Sequence, residues 1–145
     1  MTLKTEVSVK INRPPAGVFA VLTDVLHQPE WSKGVRKVRD VSQDPVRLGT
    51  TWTQINPLVG KEIEAHATVN VYEADRKFGF AIDKPFPAHG LFLLEPSGSG
   101  TNLSFSMEGE PGGFFGVAAP LLRKAIKGTM SSDLQALKTQ LEARA

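Results

Sequence analysis

Three polar side chains that could do chemistry follow one another at alternate positions, Glu62, Glu64 and His66. Residues two apart in a β-strand share a face, and carboxylates with an imidazole are possible metal ligands. The opposite face of the same segment is uniformly apolar, with Ile63, Ala65, Ala67, Val69 and Val71. Because the apolar set belongs against the core, we predict that the acids and His66 lie in water and bind no metal.

His89 and Glu108 are the remaining candidates for acid–base chemistry. A histidine near a pocket mouth could exchange protons at neutral pH, although one between "KPFPA" and "GLFLLEP" also fits a surface turn. Glu108 and Glu110 end the last predicted strand, where they could reach a cavity rim or lie in solvent. The serines form no elbow motif, and no nucleophile, base and orienting group occur together. The catalytic residues therefore stay unknown, with His89 and Glu108 as weak candidates.

A third set, Trp52, Gln54 and Asn56, alternates along one predicted strand. Either this set faces inward or its neighbours Thr51, Thr53 and Ile55 do. Both sets mix polar and apolar residues, so alternation leaves the register open. If the first set is buried, its amides need partners, which could be each other, water or a polar group on a ligand.

The elements that position these residues begin with a strand and two short helices. Apolar and polar residues alternate in "VSVKI", which predicts a half-buried strand that "RPP" stops. Pro15 can begin a helix, because the first helical position needs no backbone donor. Asp24 is predicted to cap a second short helix over "VLHQ", which Pro29 ends.

Six further segments bounded by Gly, Pro and Asp predict an antiparallel meander. They are "VRKVRDV", "TTWTQINP", "KEIEAHATVNVYE", "KFGFAID", "GLFLLEP" and "TNLSFSMEGE".

The last 30 residues predict one amphipathic helix, which begins or kinks near Pro120. Its apolar positions are Phe114, Ala118, Leu121, Leu122, Ala125, Ile126, Met130, Leu134, Leu137 and Leu141. Gly128 is expected on the inward face with Leu121. The small residues Ala65 and Ala67, opposite this helix, indicate either close helix–sheet packing or a cavity.

The fold class is therefore α+β. We expect a single domain over residues 1–145, in which a curved seven-stranded antiparallel sheet wraps around the long C-terminal helix. The two short helices between strands 1 and 2 would border the mouth of the cavity.

Composition narrows the function. The 17 basic and 15 acidic residues give a net charge of only +2, and the basic clusters are too short to follow a phosphate backbone, so we expect no nucleic acid. The absence of cysteine rules out disulfides and thiol chemistry. No apolar run reaches the roughly 18 residues of a membrane span, and the first residues do not resemble a secretory signal. We expect a cytoplasmic protein without a cofactor.

Several motifs, in order, resemble the START-related, Bet v 1-like (SRPBCC) superfamily, and within it the polyketide cyclase/dehydrase branch of small bacterial proteins. They are "VSVKINRPPAGVFAVLTDVLHQPEW", "LGTTWTQ", "VYEADRKFGF", "LEPSGSGTNLSF" and "LLRKAIKGTMSSDLQALKTQLEA". The resemblance implies the helix-grip fold and an internal cavity.

The resemblance also suggests where a ligand would lie. An aromatic residue at the position of Trp31 packs over the end of the cavity, either to wedge the helix pair against the sheet or to close the mouth. The resemblance also implies that the side chains of Trp52, Gln54 and Asn56 face the inside of the sheet. The other expected ligand-binding residues are Ala65, Ala67, Phe80, Phe105, Met107, Leu122, Ile126 and Met130, whose alternative role is ordinary core.

Three functions are consistent with these observations, and they are given in descending order of preference. The first is a carrier, sensor or storage protein that binds a hydrophobic or aromatic small molecule. The second is a polyketide cyclase, dehydratase or aromatase without a covalent nucleophile. The third is a protein-interaction module like the cochaperone members of the superfamily. Whether the protein is a monomer or a homodimer stays open.

Overall fold

The computed structural model describes residues 2–58, 60–112 and 119–144. In order, the elements are β1 (Leu3–Ile11), α1 (Pro15–Thr23), a 3-10 helix (Val25–Glu30), β2 (Lys37–Arg39), β3 (Thr51–Leu58), β4 (Lys61–Glu73), β5 (Lys77–Ile82), β6 (Ala88–Ser97), β7 (Gly100–Gly109) and α2 (Ala119–Glu142). The α+β architecture with two short helices between the first two strands is as predicted.

The seven strands form one curved antiparallel sheet in the order β1-β7-β6-β5-β4-β3-β2. Strands β2 to β7 follow one another as a meander, and β1 pairs with the free side of β7, from Leu3 opposite Gly109 to Ile11 opposite Thr101. Burial alternates along β1 and β4, so one face of the sheet packs against the helices and the other meets solvent.

The two short helices differ partly from the prediction. Pro15 begins α1 as expected. The second helix is a 3-10 helix that includes Pro29 rather than ending before it. Its backbone bonds run from His27 N to Asp24 O and from Trp31 N to Gln28 O, so neither requires the missing N–H of Pro29. Asp24 makes no side-chain cap, because its carboxylate contacts His27 Nδ1 at 2.9 Å instead.

Helix α2 lies against the sheet with the face formed by Leu122, Ile126, Met130, Asp133, Leu134, Leu137 and Leu141. The expectation that Leu121 and Gly128 face inward is wrong. Leu121 is 66% exposed, and a Cβ at Gly128 would meet nothing within 4 Å. Leu121 lies one residue, or about 100°, from the buried stripe that Leu122 begins. The predicted apolar positions Phe114 and Ala118 lie outside the described residues.

The core occupies the space between the sheet and the three helices. Phe19 of α1 meets Tyr72 and Phe78 edge to face, with centroid distances of 5.4 and 6.4 Å. The most completely buried large side chains of the core are Phe78, Phe92, Ile11, Leu22, Leu103, Leu134 and Leu137. No helix in the described part of the chain is long and apolar enough to cross a membrane.

Candidate ligand cavity

A cavity of about 500 Å³ lies between helix α2 and the inner face of the sheet. Small-molecule sites commonly have volumes of about 300–1,000 Å³. The apolar side chains along it include Leu3, Trp31, Val35, Phe80, Ile82, Pro85, Phe86, Phe92, Phe105, Met107, Leu122, Ile126 and Met130. The polar ones are Gln28, Ser32, Gln54, Asn56, Glu108, Thr129 and Asp133. The cavity is therefore mostly apolar, with a few polar groups that could orient a ligand.

Three phenyl rings on adjacent strands form an aromatic wall, which we define as Phe80, Phe92 and Phe105. Phe92 and Phe105 are cross-strand partners and stack with their centroids 4.1 Å apart and their planes 8° apart. The ring of Phe80 lies 6.5 Å from Phe92 and 6.3 Å from Phe105. Stacked and tilted rings at these distances attract one another and present flat apolar surface.

Gly90 lies behind the aromatic wall without lining the cavity. A Cβ at this position would lie 2.7 Å from both Met107 Sδ and Phe80 Cζ, and 3.1 Å from Phe105 Cε1. The lack of a side chain therefore allows these three residues to pack close to the β6 backbone. We did not identify Gly90 from sequence, although a glycine inside a strand is a signal of close approach.

Trp52, Gln54 and Asn56 form a second feature, a polar ladder along β3. Trp52 Nε1 donates to Gln54 Oε1 at 2.9 Å, and Gln54 Nε2 donates to Asn56 Oδ1 at 3.0 Å. Trp52 and Gln54 are 3% and 4% exposed, whereas Thr51 is exposed and Thr53 is paired between Arg39 and the exposed His66 on the neighbouring strands. The open register is thus decided in favour of the polar ladder facing inward. Gln54 and Asn56 line the cavity, and Trp52 lies beyond its lining.

Asp133 is a cavity-lining residue that the sequence analysis missed. The buried carboxylate accepts hydrogen bonds from Ser32 Oγ at 2.6 Å, Lys33 N at 2.8 Å and Gly34 N at 3.3 Å. These bonds attach the loop after the 3-10 helix to the middle of α2. A signal was present, because Asp133 lies three residues after Met130 and four before Leu137, on the helix's buried stripe.

Trp31 closes one end of the cavity and separates it from a second recess of about 270 Å³. This recess is bordered by Ala20, Val21, Asp24, His27, Glu30, Gln140 and Arg144. The Trp31 side chain is buried, and its Nε1 has no hydrogen-bond partner within the described ranges. Both roles considered for Trp31 are compatible with this position, since it packs in the core and also forms a wall of the cavity.

The full set of residues predicted to bind a ligand divides into two groups. Those that line the cavity are Trp31, Gln54, Asn56, Phe80, Phe105, Met107, Leu122, Ile126 and Met130. Trp52, Ala65 and Ala67 lie outside its lining. Ala67 lies opposite Trp52, and Ala65 opposite Gln54. The two alanines therefore leave room beside the large residues of β3.

His89 lies in strand β6 and not in the turn before it, contrary to the prediction. Its side chain is exposed on the outer face of the sheet, and its Nε2 is 3.5 Å from Glu108 Oε2. Glu108 touches the cavity rim, but its carboxylate pairs with His89 on that outer face. His89 itself does not line the cavity, and this position does not support a role in proton transfer to a bound molecule.

The acids and histidine of β4 are exposed, as predicted. They pair with three different residues: Glu62 with Arg36 at 3.8 Å, Glu64 with Arg39, and His66 with Asp83 at 3.0 Å. Partial burial raises the pKa of Asp83, but hydrogen bonds from the backbone and ring of His66 outweigh it, so the pKa lies below its usual value.

A curved antiparallel sheet around one long helix, with an apolar internal cavity, defines a helix-grip protein of the START and Bet v 1 class. The chain belongs to the polyketide cyclase / dehydrase and lipid transport family, whose model matches residues 2–142. A search of curated protein sequences found no match to this chain.

Solved structures share this fold over nearly the whole chain. The Zhui aromatase/cyclase from Streptomyces sp. R1128 superposes with a TM-score of 0.80 at 17% identity, covering 99% of this chain and 96% of that one. A START superfamily protein from Mycobacterium smegmatis has a TM-score of 0.80 at 14% identity, with 96% and 97% covered. The protein TTHA0849 from Thermus thermophilus has a TM-score of 0.77 at 18% identity, with 97% of both chains covered.

Proposed function

We propose that this protein binds a planar, largely apolar aromatic small molecule in the cavity beneath helix α2. The observation that carries the proposal is the aromatic wall on one side of a space of about 500 Å³. A flat ring system placed against these phenyl groups would bury its faces without displacing any protein hydrogen bond. Membership of the family supports a hydrophobic ligand.

The ionisable groups around the cavity already have partners in the protein, and this favours binding without catalysis, as in a carrier, sensor or storage protein. In the described lining these are Asp133 and Glu108. Asp133 already accepts three hydrogen bonds from the loop at Ser32–Gly34, and Glu108 pairs with His89. A proton-transfer group needs contact with the reacting atom; the hydrogen bonds of Asp133 already engage its carboxylate, and Glu108 would have to turn from His89 to make that contact.

An aromatase- or cyclase-type reaction is the second candidate. One solved relative of the same fold is an aromatase/cyclase, and Glu108 reaches the rim of the cavity. If the reaction occurs here, Glu108 is the residue we expect to exchange the proton. A Glu108→Gln variant would then bind its substrate and fail to convert it.

The test of binding uses the fluorescent probe 1-aminoanthracene and two alanine-to-leucine variants. Ala88 lines the cavity, whereas Ala81 on the neighbouring strand lies opposite the outward-facing His89 and outside the lining. We expect saturable one-to-one binding, weakened at least about fivefold by Ala88→Leu, since added methylenes fill the space. Ala81→Leu should change the Kd less than twofold.

Two results would overturn the proposal. One is no saturable binding of the probe by the native protein. The other is an equal loss of affinity in both variants, which would place the probe outside the cavity. Urea unfolding of each variant establishes that the folded state is retained.

A further inference from the structure

The polar ladder has a direction, because the indole of Trp52 can only donate a hydrogen bond. Trp52 Nε1 donates to Gln54 Oε1, which fixes the carbonyl end of the Gln54 amide toward the indole. The reverse orientation would place two N–H groups against each other and leave a buried indole donor unpaired, which is costly. The Gln54 amide is therefore oriented by chemistry.

The orientation of the Gln54 amide fixes that of Asn56 in turn. With its carbonyl engaged, Gln54 must donate from Nε2, and Asn56 Oδ1 accepts this bond at 3.0 Å. Asn56 lines the cavity, and its Nδ2 donors are the groups that the polar ladder leaves unused. Among the described residues, no protein acceptor takes these N–H groups. The end of the polar ladder is thus a donor site on a mostly apolar surface.

We propose that Asn56 selects ligands that carry an acceptor-only oxygen, such as an aromatic ketone or quinone, at the edge of the ring system. This inference rests on the proposed function and specifies the class of ligand. A carbonyl beside Asn56 completes the chain of bonds that begins at Trp52.

The experiment compares two probes of nearly equal shape, 2-acetylnaphthalene and 2-isopropenylnaphthalene, in which a methylene replaces the carbonyl oxygen. Asn56→Asp keeps the size of the side chain and its bond from Gln54, but replaces the donors by an acceptor. We expect the Kd of the ketone to rise about three- to tenfold, as for the loss of one hydrogen bond, and that of the hydrocarbon to change less than twofold. Asn102→Asp, on the exposed face of β7, is the matched control and should change neither.

A second measurement does not depend on the variant. In ¹⁵N-labelled native protein, the side-chain NH₂ resonances of Asn56 should shift further on adding the ketone than on adding the hydrocarbon, whose ring current is the same. If both probes bind but Asn56→Asp leaves their affinity ratio unchanged, or if the ketone moves those resonances no further than the hydrocarbon does, the inference is overturned and the proposed function stands. If neither naphthalene binds while 1-aminoanthracene does, the inference alone is overturned; if none of the three binds, both are overturned.

Discussion

The hydrogen bonds that join the loop at Ser32–Gly34 to Asp133 of helix α2 allow a quantitative prediction. The carboxylate accepts from the buried Ser32 hydroxyl at 2.6 Å and from the part-buried N–H of Lys33 at 2.8 Å. Hydrogen bonds to charged groups are each worth about 1.5–3 kcal/mol, and the Lys33 N–H can regain water when its partner is lost. We therefore expect Asp133→Ala to lower the free energy of unfolding by about 3 kcal/mol. That is a large part of the roughly 5–15 kcal/mol typical of a domain.

The assay is equilibrium urea unfolding followed by tryptophan fluorescence, which senses this region because Trp31 immediately precedes Ser32. Ser32→Ala removes only one of the bonds and should cost about 1–2 kcal/mol. Ser132→Ala, exposed one residue away on the same helix, is the control and should remain within about 0.5 kcal/mol of the native protein. An Asp133→Ala protein as stable as this control would refute the reasoning.

Three further outcomes are expected. Gly90→Ala should push the aromatic wall into the cavity and weaken 1-aminoanthracene binding more than naphthalene binding; equal affinity changes for both probes would contradict this. The hydrogen bond and charge of Asp24 raise the pKa of His27. The pair of Asp24 with protonated His27 therefore stabilises the folded state fully below pH about 6.5, and this stabilisation is lost as the pH rises through the folded-state pKa of His27. Asp24→Asn should return the His27 pKa to about 6.5 in an NMR titration, and an unchanged titration would rule out the pair as the cause. Bonds from Lys138 and from the Asn12 N–H lower the pKa of Glu142, so this stabilisation is present above pH about 4.5 and lost as pH falls. Glu142→Gln should therefore lose less stability than the native protein between pH 6 and pH 3 in urea unfolding, and parallel losses would disprove it.

The strands and the start of α1 could be predicted from the sequence because alternation, proline and turn residues act locally, and the helix-grip architecture followed from the family resemblance. "KEIEAHATVNVYE" coincides with β4, and Pro15 begins α1. The inward face of α2 was only partly predictable. Leu121 has the spacing of a core residue, but its exposure depends on how the helix is rotated against the sheet.

The cavity was less accessible to sequence reasoning than the fold. The inward direction of the polar ladder came from the family resemblance, since alternation alone left two registers open. Asp133 was missed because a carboxylate in an amphipathic helix usually lies in water, and here its partners come from a loop about 100 residues away. Contacts at such separation leave no local pattern.

Gly90 has a consequence for how ligand size is selected. Gly90 does not line the cavity, yet its missing side chain leaves room for Phe80, Phe105 and Met107, which do. Substitution there would change the shape available to a ligand while every group in contact with it stays chemically the same. Engineering of the cavity can therefore begin at Gly90 on β6, where one added methyl group would change the space available to a ring system without altering Asn56.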